Sequence, residues 1–288
     1  TPCGTLFPYT TLFRSPATPV VVGMVHLRAL PGSPGYQGKM DDVIRAAVTD
    51  AEAVAGGGAD GIMVENFWDA PFTAGRVEAH TAAAMAVCVH EIRKAVDIPV
   101  GVNVLRNDGE SALSIAAVTG ARFIRVNVLT HAMVTDQGII QGRAYELSRR
   151  RALLGALPAA APTQQPHTGG SPVLVFADVM VKHAYPLGEM DIQTAAKDIA
   201  RRGGADVLVV SGSGTGAPIE EKELAAVREA VPGFPVASGS GITPENLEQL
   251  APHLDVIIVG TWIKRDGRVE NPVDPKRVRE ITGGVHRR

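Results

Sequence analysis

The chain has 288 residues, 45% of them apolar, 20% charged and 5% aromatic, a composition that excludes disordered and collagen-like classes. Lys plus Arg number 28 against 30 Asp plus Glu, and the net charge of −2 excludes nucleic acid or an anionic membrane as the main electrostatic partner. No apolar run reaches the roughly 18 residues of a membrane span, and two cysteines, Cys3 and Cys88, make neither a disulfide framework nor a zinc cluster, which suits a reducing cytoplasm.

Thr1 to Ser15 has no charged start, no long apolar core and no small-residue cleavage site, so it does not read as a signal peptide. It is expected to be a non-native or disordered leader ahead of one domain over residues 16–288. From Thr18 on, short β-branched runs bounded by Gly, Asp or Pro alternate with longer Ala/Glu/Arg segments of helical period. Strands are predicted at Pro19–His26, Gly61–Asn66, Ile98–Val104, Arg122–Asn127, Val173–Asp178, Val207–Ser211, Phe234–Ser238 and Val256–Gly260. Helices are predicted at Asp41–Ala55, Arg76–Ala95, Gly109–Thr119, Ile140–Leu154, Ile192–Arg201, Glu220–Ala230, Pro244–Leu250 and Pro275–Ile281. Thr243 before Pro244 gives a cap hydroxyl and then the residue favoured at the first helical position, while Asp41 and Asp191 put negative charge at helix starts. The strand runs are nearly all apolar, as a parallel sheet covered on both faces requires. Strand and helix alternating eight times over this length favour a closed (β/α)8 TIM barrel over an open doubly wound sheet. No G-x-G-x-x-G follows the first strand, which weakens a dinucleotide-binding reading. Leu157–Pro172 is rich in Pro, Ala, Gln and Gly and is expected to be a flexible insertion on the amino-terminal face, with His167 exposed and inert.

Barrel enzymes place their chemistry at the carboxyl ends of the strands. There the sequence puts His26, Glu65, Asn103, Arg125, Asn127 and Asp178, with Lys182 and His183 just beyond. A single polar residue closing an apolar strand is usually a cap or loop partner. Five consecutive strands ending so would gather acids, imidazoles and an amine over one mouth, where burial and mutual charge shift pKa values. The second half of the mouth reads differently. Ser211, Gly212, Ser213, Gly214 and Thr215 follow the sixth strand, Ser238, Gly239, Ser240 and Gly241 the seventh, and Gly260 and Thr261 the eighth. Such loops let backbone N–H groups and hydroxyls approach an anion, and the loops after strands seven and eight are the usual phosphate site of barrels.

Those motifs carry a resemblance. GMVHLRALPGSPGY at 23–36, DGIMVENFWDAPF at 60–72, GVNVLRND at 101–108, FIRVNVLTHAMVTDQGIIQGRA at 123–144 and FADVMVKHAYPL at 176–187, with SGSGTG and GSGITPENL, are similar to the BtpA/SgcQ family. The resemblance runs from about Val20 to Ile281 and implies a barrel related to the ribulose-phosphate-binding group. It also implies, for one branch, a role in photosystem I biogenesis as a protein peripheral to a membrane, and for others enzymes or nucleotide hydrolases. His131 stands where the family is expected to carry glycine, and the 157–172 insertion is longer than the family leads one to expect.

The combined expectation is a cytoplasmic enzyme, and a homo-oligomer, that binds a sugar phosphate or nucleotide at residues 211–216, 238–243 and 260–261. Glu65 and Asp178 are then the acid and base, or ligands of a divalent metal such as Mg, and His26 or His183 shuttles protons. Lys182 and Arg125 stabilise developing negative charge, and Asn103 and Asn127 orient hydroxyls. A Schiff-base role for Lys182 ranks lower, because the sequence places it beyond the apolar strand with no evident desolvation. The competing expectation is a non-catalytic assembly or stability factor for a membrane complex.

Overall fold

A computed structural model describes Leu12 and residues 18–156, 172–212, 214 and 216–286. The expected leader apart from Leu12, nearly all of the expected insertion with His167, and the loop residues Ser213 and Thr215 lie outside the described residues. The strands are β1 (Val20–His26), β2 (Gly61–Glu65), β3 (Val100–Asn103), β4 (Phe123–Val126), β5 (Ala132–Thr135), β6 (Gly138–Gln141), β7 (Leu174–Asp178), β8 (Ala184–Pro186), β9 (Val207–Val210), β10 (Val236–Ser238) and β11 (Val256–Val259). The helices are α1 (Met40–Gly56), α2 (Ala79–Ala95), α3 (Gly109–Thr119), α4 (Ala144–Leu153), α5 (Ile192–Asp198), α6 (Glu221–Ala230), α7 (Pro244–Leu250) and α8 (Pro275–His286). Eight strands close into a parallel barrel in the order β1-β11-β10-β9-β7-β4-β3-β2, the TIM barrel that the apolar runs predict.

Side chains alternate across each strand, so the same residues build two cores. Val20, Val22, Met24, Met63, Phe123, Phe176, Val209 and Ile258 fill the barrel, with the Phe123 and Phe176 rings stacked 5.1 Å apart. Val21, Val25, Ile62, Val102, Ile124 and Val175 point outward onto the helices. Gly101 has a steric reason: a Cβ there would lie 2.2 Å from the Phe123 ring that plugs the barrel. Cys88 on α2 is buried in the outer core, and burial pushes its thiol up to about 12, so it packs as an inert apolar residue.

The helix predicted from Ile140 instead starts at Ala144, because residues 132–141 fold as a hairpin. Gly138 takes φ +96° in its turn, and the Thr135 hydroxyl accepts from Gln137 N–H and donates to Gly138 C=O. β5 also pairs with β8, so a three-stranded antiparallel sheet, β6-β5-β8, joins the segments that follow the fourth and fifth barrel strands. The start predicted at Arg76 moves to Ala79, since Val77 N–H donates to Asp108 and Arg76 pairs with Glu110. Asp191 caps α5 by accepting from Thr194 N–H at 2.8 Å.

His131 has a φ of +63°, in the left-handed region that glycine tolerates best. His131→Gly is expected to raise stability by about 0.5–1 kcal/mol, the relief of that strain exceeding the loss of a half-exposed contact to Asp198. Thermal unfolding of the two proteins checks it; a lower melting temperature in the glycine variant would mean that the Asp198 contact outweighs the strain.

Candidate active site at the carboxyl rim

Register builds the site. β1, β2, β3 and β4 pair so that His26 faces Glu65, Glu65 faces Asn103 and Asn103 faces Arg125, each on the inward parity of its strand. Four adjacent strands therefore deliver four polar side chains to one layer above the apolar plug. Asp178 ends β7 two residues beyond Phe176, which pairs with Arg125, and so stands at the same rim. A cavity of about 360 Å³ opens above this layer, lined by His26, Glu65, Arg125 and Lys182 on one side and by Ser240, Gly260 and Thr261 on the other.

Asp178 does not line that cavity. Its carboxylate is fully enclosed, accepting from Arg125 Nη2 at 2.9 Å, from Arg125 Nε at 3.1 Å and from Asn127 Nδ2 at 2.6 Å. It orients Arg125, whose guanidinium also reaches Ser211 Oγ and Gly239 C=O, both at 3.3 Å. Of the two, Glu65 lines the cavity, as does Asp266 on the opposite wall's loop beyond Trp262. Asn103 Nδ2 donates to its Oε2 at 2.6 Å, and its Oε1 stands 4.0 Å from His26 Nε2. The His26 ring stacks on Phe67 with centroids 4.5 Å apart. Burial first, then the charges of Lys264 and Lys182, hold its imidazole well below the usual value, so it is neutral at pH 7.

Lys182 is bracketed by the rim sheet: its carbonyl accepts from Arg106 Nη2 at 2.6 Å, and the chain turns at His183 with φ +57° into β8. Burial lowers its ammonium pKa, and Arg125 acts in the same direction against Glu65 and Asp178. This desolvation is the feature the sequence did not reveal. His183 is exposed and outside the cavity lining. Lys264, beyond the eighth strand, is buried and ion-paired with Asp50 at 2.8 Å.

On the other wall, Gly239 and Gly241 serve close packing as well as openness. A Cβ on Gly239 would fall 2.1 Å from Ser211 Oγ, and one on Gly241, at φ +75°, 2.0 Å from Ala217 O. Ser238 is internal, its Oγ accepting from Ile258 N–H at 3.2 Å. Ser211 meets Arg125, and Gly212 and Gly214 do not line the cavity. The start of α7 is already capped: Thr243 N–H donates to Asn246 Oδ1, and Pro244 has no N–H to offer. Ser240 Oγ is different, being buried with no hydrogen-bond partner among the described residues. His26 Nδ1, Asn103 Oδ1 and Asn127 Oδ1 share that condition at the same end of the barrel.

The model of the BtpA family matches residues 17–287. The chain belongs to the BtpA family. Among BtpA-family relatives, an uncharacterized protein of Thermococcus kodakarensis is 48% identical over 91% of this chain and 93% of its own length. The Synechocystis protein named photosystem I biogenesis protein BtpA is 45% identical over 90% of this chain and 85% of its own. Among solved structures, N-(5'-phosphoribosyl)anthranilate isomerase of Pyrococcus furiosus superposes with a TM-score of 0.54 at 15% identity, covering 94% of this chain and 100% of that one. That likeness establishes the TIM barrel.

Sequence reasoning missed Phe67, Trp262 and Arg277, which also line the cavity. Arg277 lies over the Trp262 ring at 3.9 Å and donates to the Trp262 carbonyl at 2.6 Å. Trp262 follows Thr261 directly and was open to notice, but Arg277 belongs to α8 and arrives only through folding. Among the described residues no group of three or more His, Cys, Asp or Glu is arranged to hold a metal. With Asp178 engaged by Arg125 and Asn127, Glu65 is the carboxylate of that pair left to face a ligand.

Because folding depresses the His26 pKa, the unfolded chain binds a proton there that the folded one refuses. Stability from this group is complete above the unfolded value of about 6.5 and falls as pH drops below it. His26→Gln is expected to flatten the decline of unfolding free energy below that pH, measured by urea titrations; an unchanged slope would assign the acid sensitivity elsewhere.

Proposed function

We propose that the rim cavity of this BtpA-family barrel binds a phosphorylated small molecule, a sugar phosphate or a nucleotide, and acts on it by proton transfer. Ser240 carries the reading. Its buried, unpartnered Oγ at the cavity wall costs about 1–3 kcal/mol if nothing meets it, and a phosphate oxygen would meet it. Thr261 adds a hydroxyl on the next loop and Arg277 a positive charge on the same wall. A volume of about 360 Å³ suits a small ligand.

Glu65 acts as the general base or acid, fixed on one oxygen by Asn103, and neutral His26 relays the proton. Arg125 and Lys182 stabilise negative charge as it develops, in a site whose dipoles are already oriented. Isomerisation, carbon–carbon cleavage and phosphate-ester hydrolysis all use these parts. The test is calorimetric titration with inorganic phosphate, ribose 5-phosphate and AMP at low ionic strength. Saturable binding supports the reading, and the absence of saturation with all three defeats it.

A second reading, an assembly factor at a membrane complex, draws on the name of the Synechocystis relative and on one surface. Ile139, Val134 and Tyr185 lie side by side across β6, β5 and β8, all exposed, with Leu187 just beyond. No helix among the described residues is long and apolar enough to cross a membrane, so this surface would provide the attachment. Flotation with lipid vesicles that is lost in Tyr185→Ser would favour it.

A further inference from the structure

We propose that the Lys182 amine attacks the carbonyl carbon of a phosphorylated aldehyde or ketone held in the rim cavity and forms an imine with it. The inference rests on the phosphate reading for the second anchor of the ligand and on Lys182 itself for the chemistry. Three observations carry it.

The first is place. Lys182 lines the same cavity as Glu65, His26 and Ser240. Around the ring, β7 stands two strands from β10 and three from β11, whose loops carry Ser240 and Thr261. Neighbouring strands lie about 4.8 Å apart, so β7 stands about 10 Å along the rim from β10 and about 14 Å from β11, and a short sugar phosphate in the cavity between them turns its carbonyl to the amine and its phosphate to the hydroxyls.

The second is fixation. Only residues 179–183 join β7 to β8, and Arg106 holds the Lys182 carbonyl. A nucleophile on a link tied at both ends meets its electrophile without a large loss of freedom.

The third is charge state. Among the described residues no carboxylate pairs with the Lys182 ammonium, whereas Lys264 has Asp50, Lys94 has Glu91 and Lys222 has Glu220. Burial without a close counter-ion favours the neutral, nucleophilic amine.

The step balances. The nitrogen lone pair forms the C–N bond as the carbonyl π pair moves to oxygen, and one nitrogen proton passes to that oxygen by way of Glu65. The C–O bond then breaks, and the hydroxyl leaves as water with the second nitrogen proton. No electrons are exchanged with any further reagent. The imine withdraws electrons from the adjacent carbon, so the reactions that follow are those of a carbonyl neighbour: enolisation or carbon–carbon cleavage.

The full chain is incubated at pH 7 with glyceraldehyde 3-phosphate and sodium cyanoborohydride, and the adducts are mapped by peptide mass spectrometry. The chain has seven lysines. Lys182 is expected to be labelled at least about tenfold faster than any exposed lysine, because the cavity holds the carbonyl beside its amine. Labelling at Lys182 should also persist to lower pH than at the exposed lysines. Unphosphorylated glycolaldehyde should mark Lys182 first but more slowly, and inorganic phosphate should slow only the phosphorylated probe. Lys182→Arg should lose the adduct and keep phosphate binding. If Lys182 is labelled no faster than exposed lysines by either probe, the imine is refuted, and titration with phosphate still decides the pocket. If both probes label Lys182 equally and phosphate does not compete, the amine chemistry stands and the phosphate reading falls.

Discussion

Ser240→Asp is expected to remove the stabilisation that phosphate compounds give the wild-type protein. A ligand at a hundred times its dissociation constant adds about 2.7 kcal/mol to folding, which for a large domain is a rise of about 5–10 °C in melting temperature. The substitution places a carboxylate on a residue of the cavity wall, where Ser240 now carries a buried, unpartnered hydroxyl, and like charge in a poorly solvated pocket repels the anion. Ser240→Ala provides the graded control, costing about 1 kcal/mol of binding through one lost hydrogen bond. Thermal shifts with ribose 5-phosphate across the three proteins give the answer. An undiminished shift in Ser240→Asp would show that the ligand's phosphate lies elsewhere.

The second large effect is structural. The Arg125 side chain is 2% exposed and that of Asp178 is fully buried. Removing one member of such a pair strands the other charge in a low-dielectric interior, at a cost of about 3–5 kcal/mol. Arg125→Met is therefore expected to lower the urea midpoint sharply. The double variant Arg125→Met with Asp178→Leu should recover most of the loss, because no uncompensated charge remains. A single variant that loses less than about 1 kcal/mol would mean that water reaches the pair.

Much of this was legible in the chain. β-branched runs such as Val256–Val259 can be buried on both faces only in a parallel sheet, and the period of two then sends His26, Glu65, Asn103 and Arg125 inward together. Residue type alone did not tell Asp178 from Glu65. Their different duties depend on which one a guanidinium reaches, a contact between residues 53 positions apart. The burial of Lys182 was hidden because its surroundings are set by contacts far off in sequence, such as the one Arg106 makes with its carbonyl. The hairpin at 132–141 was masked by the helical propensity of the Arg-rich segment that follows. The D-Q-G turn at 136–138 was the local signal that could have exposed it.

Arg125 touches the ends of three neighbouring strands at once, through Asp178, Ser211 and Gly239. Substitutions at those positions will show strong epistasis, since each changes the demands the shared guanidinium places on the other two. Relatives that alter one of them are expected to alter the rest, so that the brace drifts as a block and the cavity's outline with it.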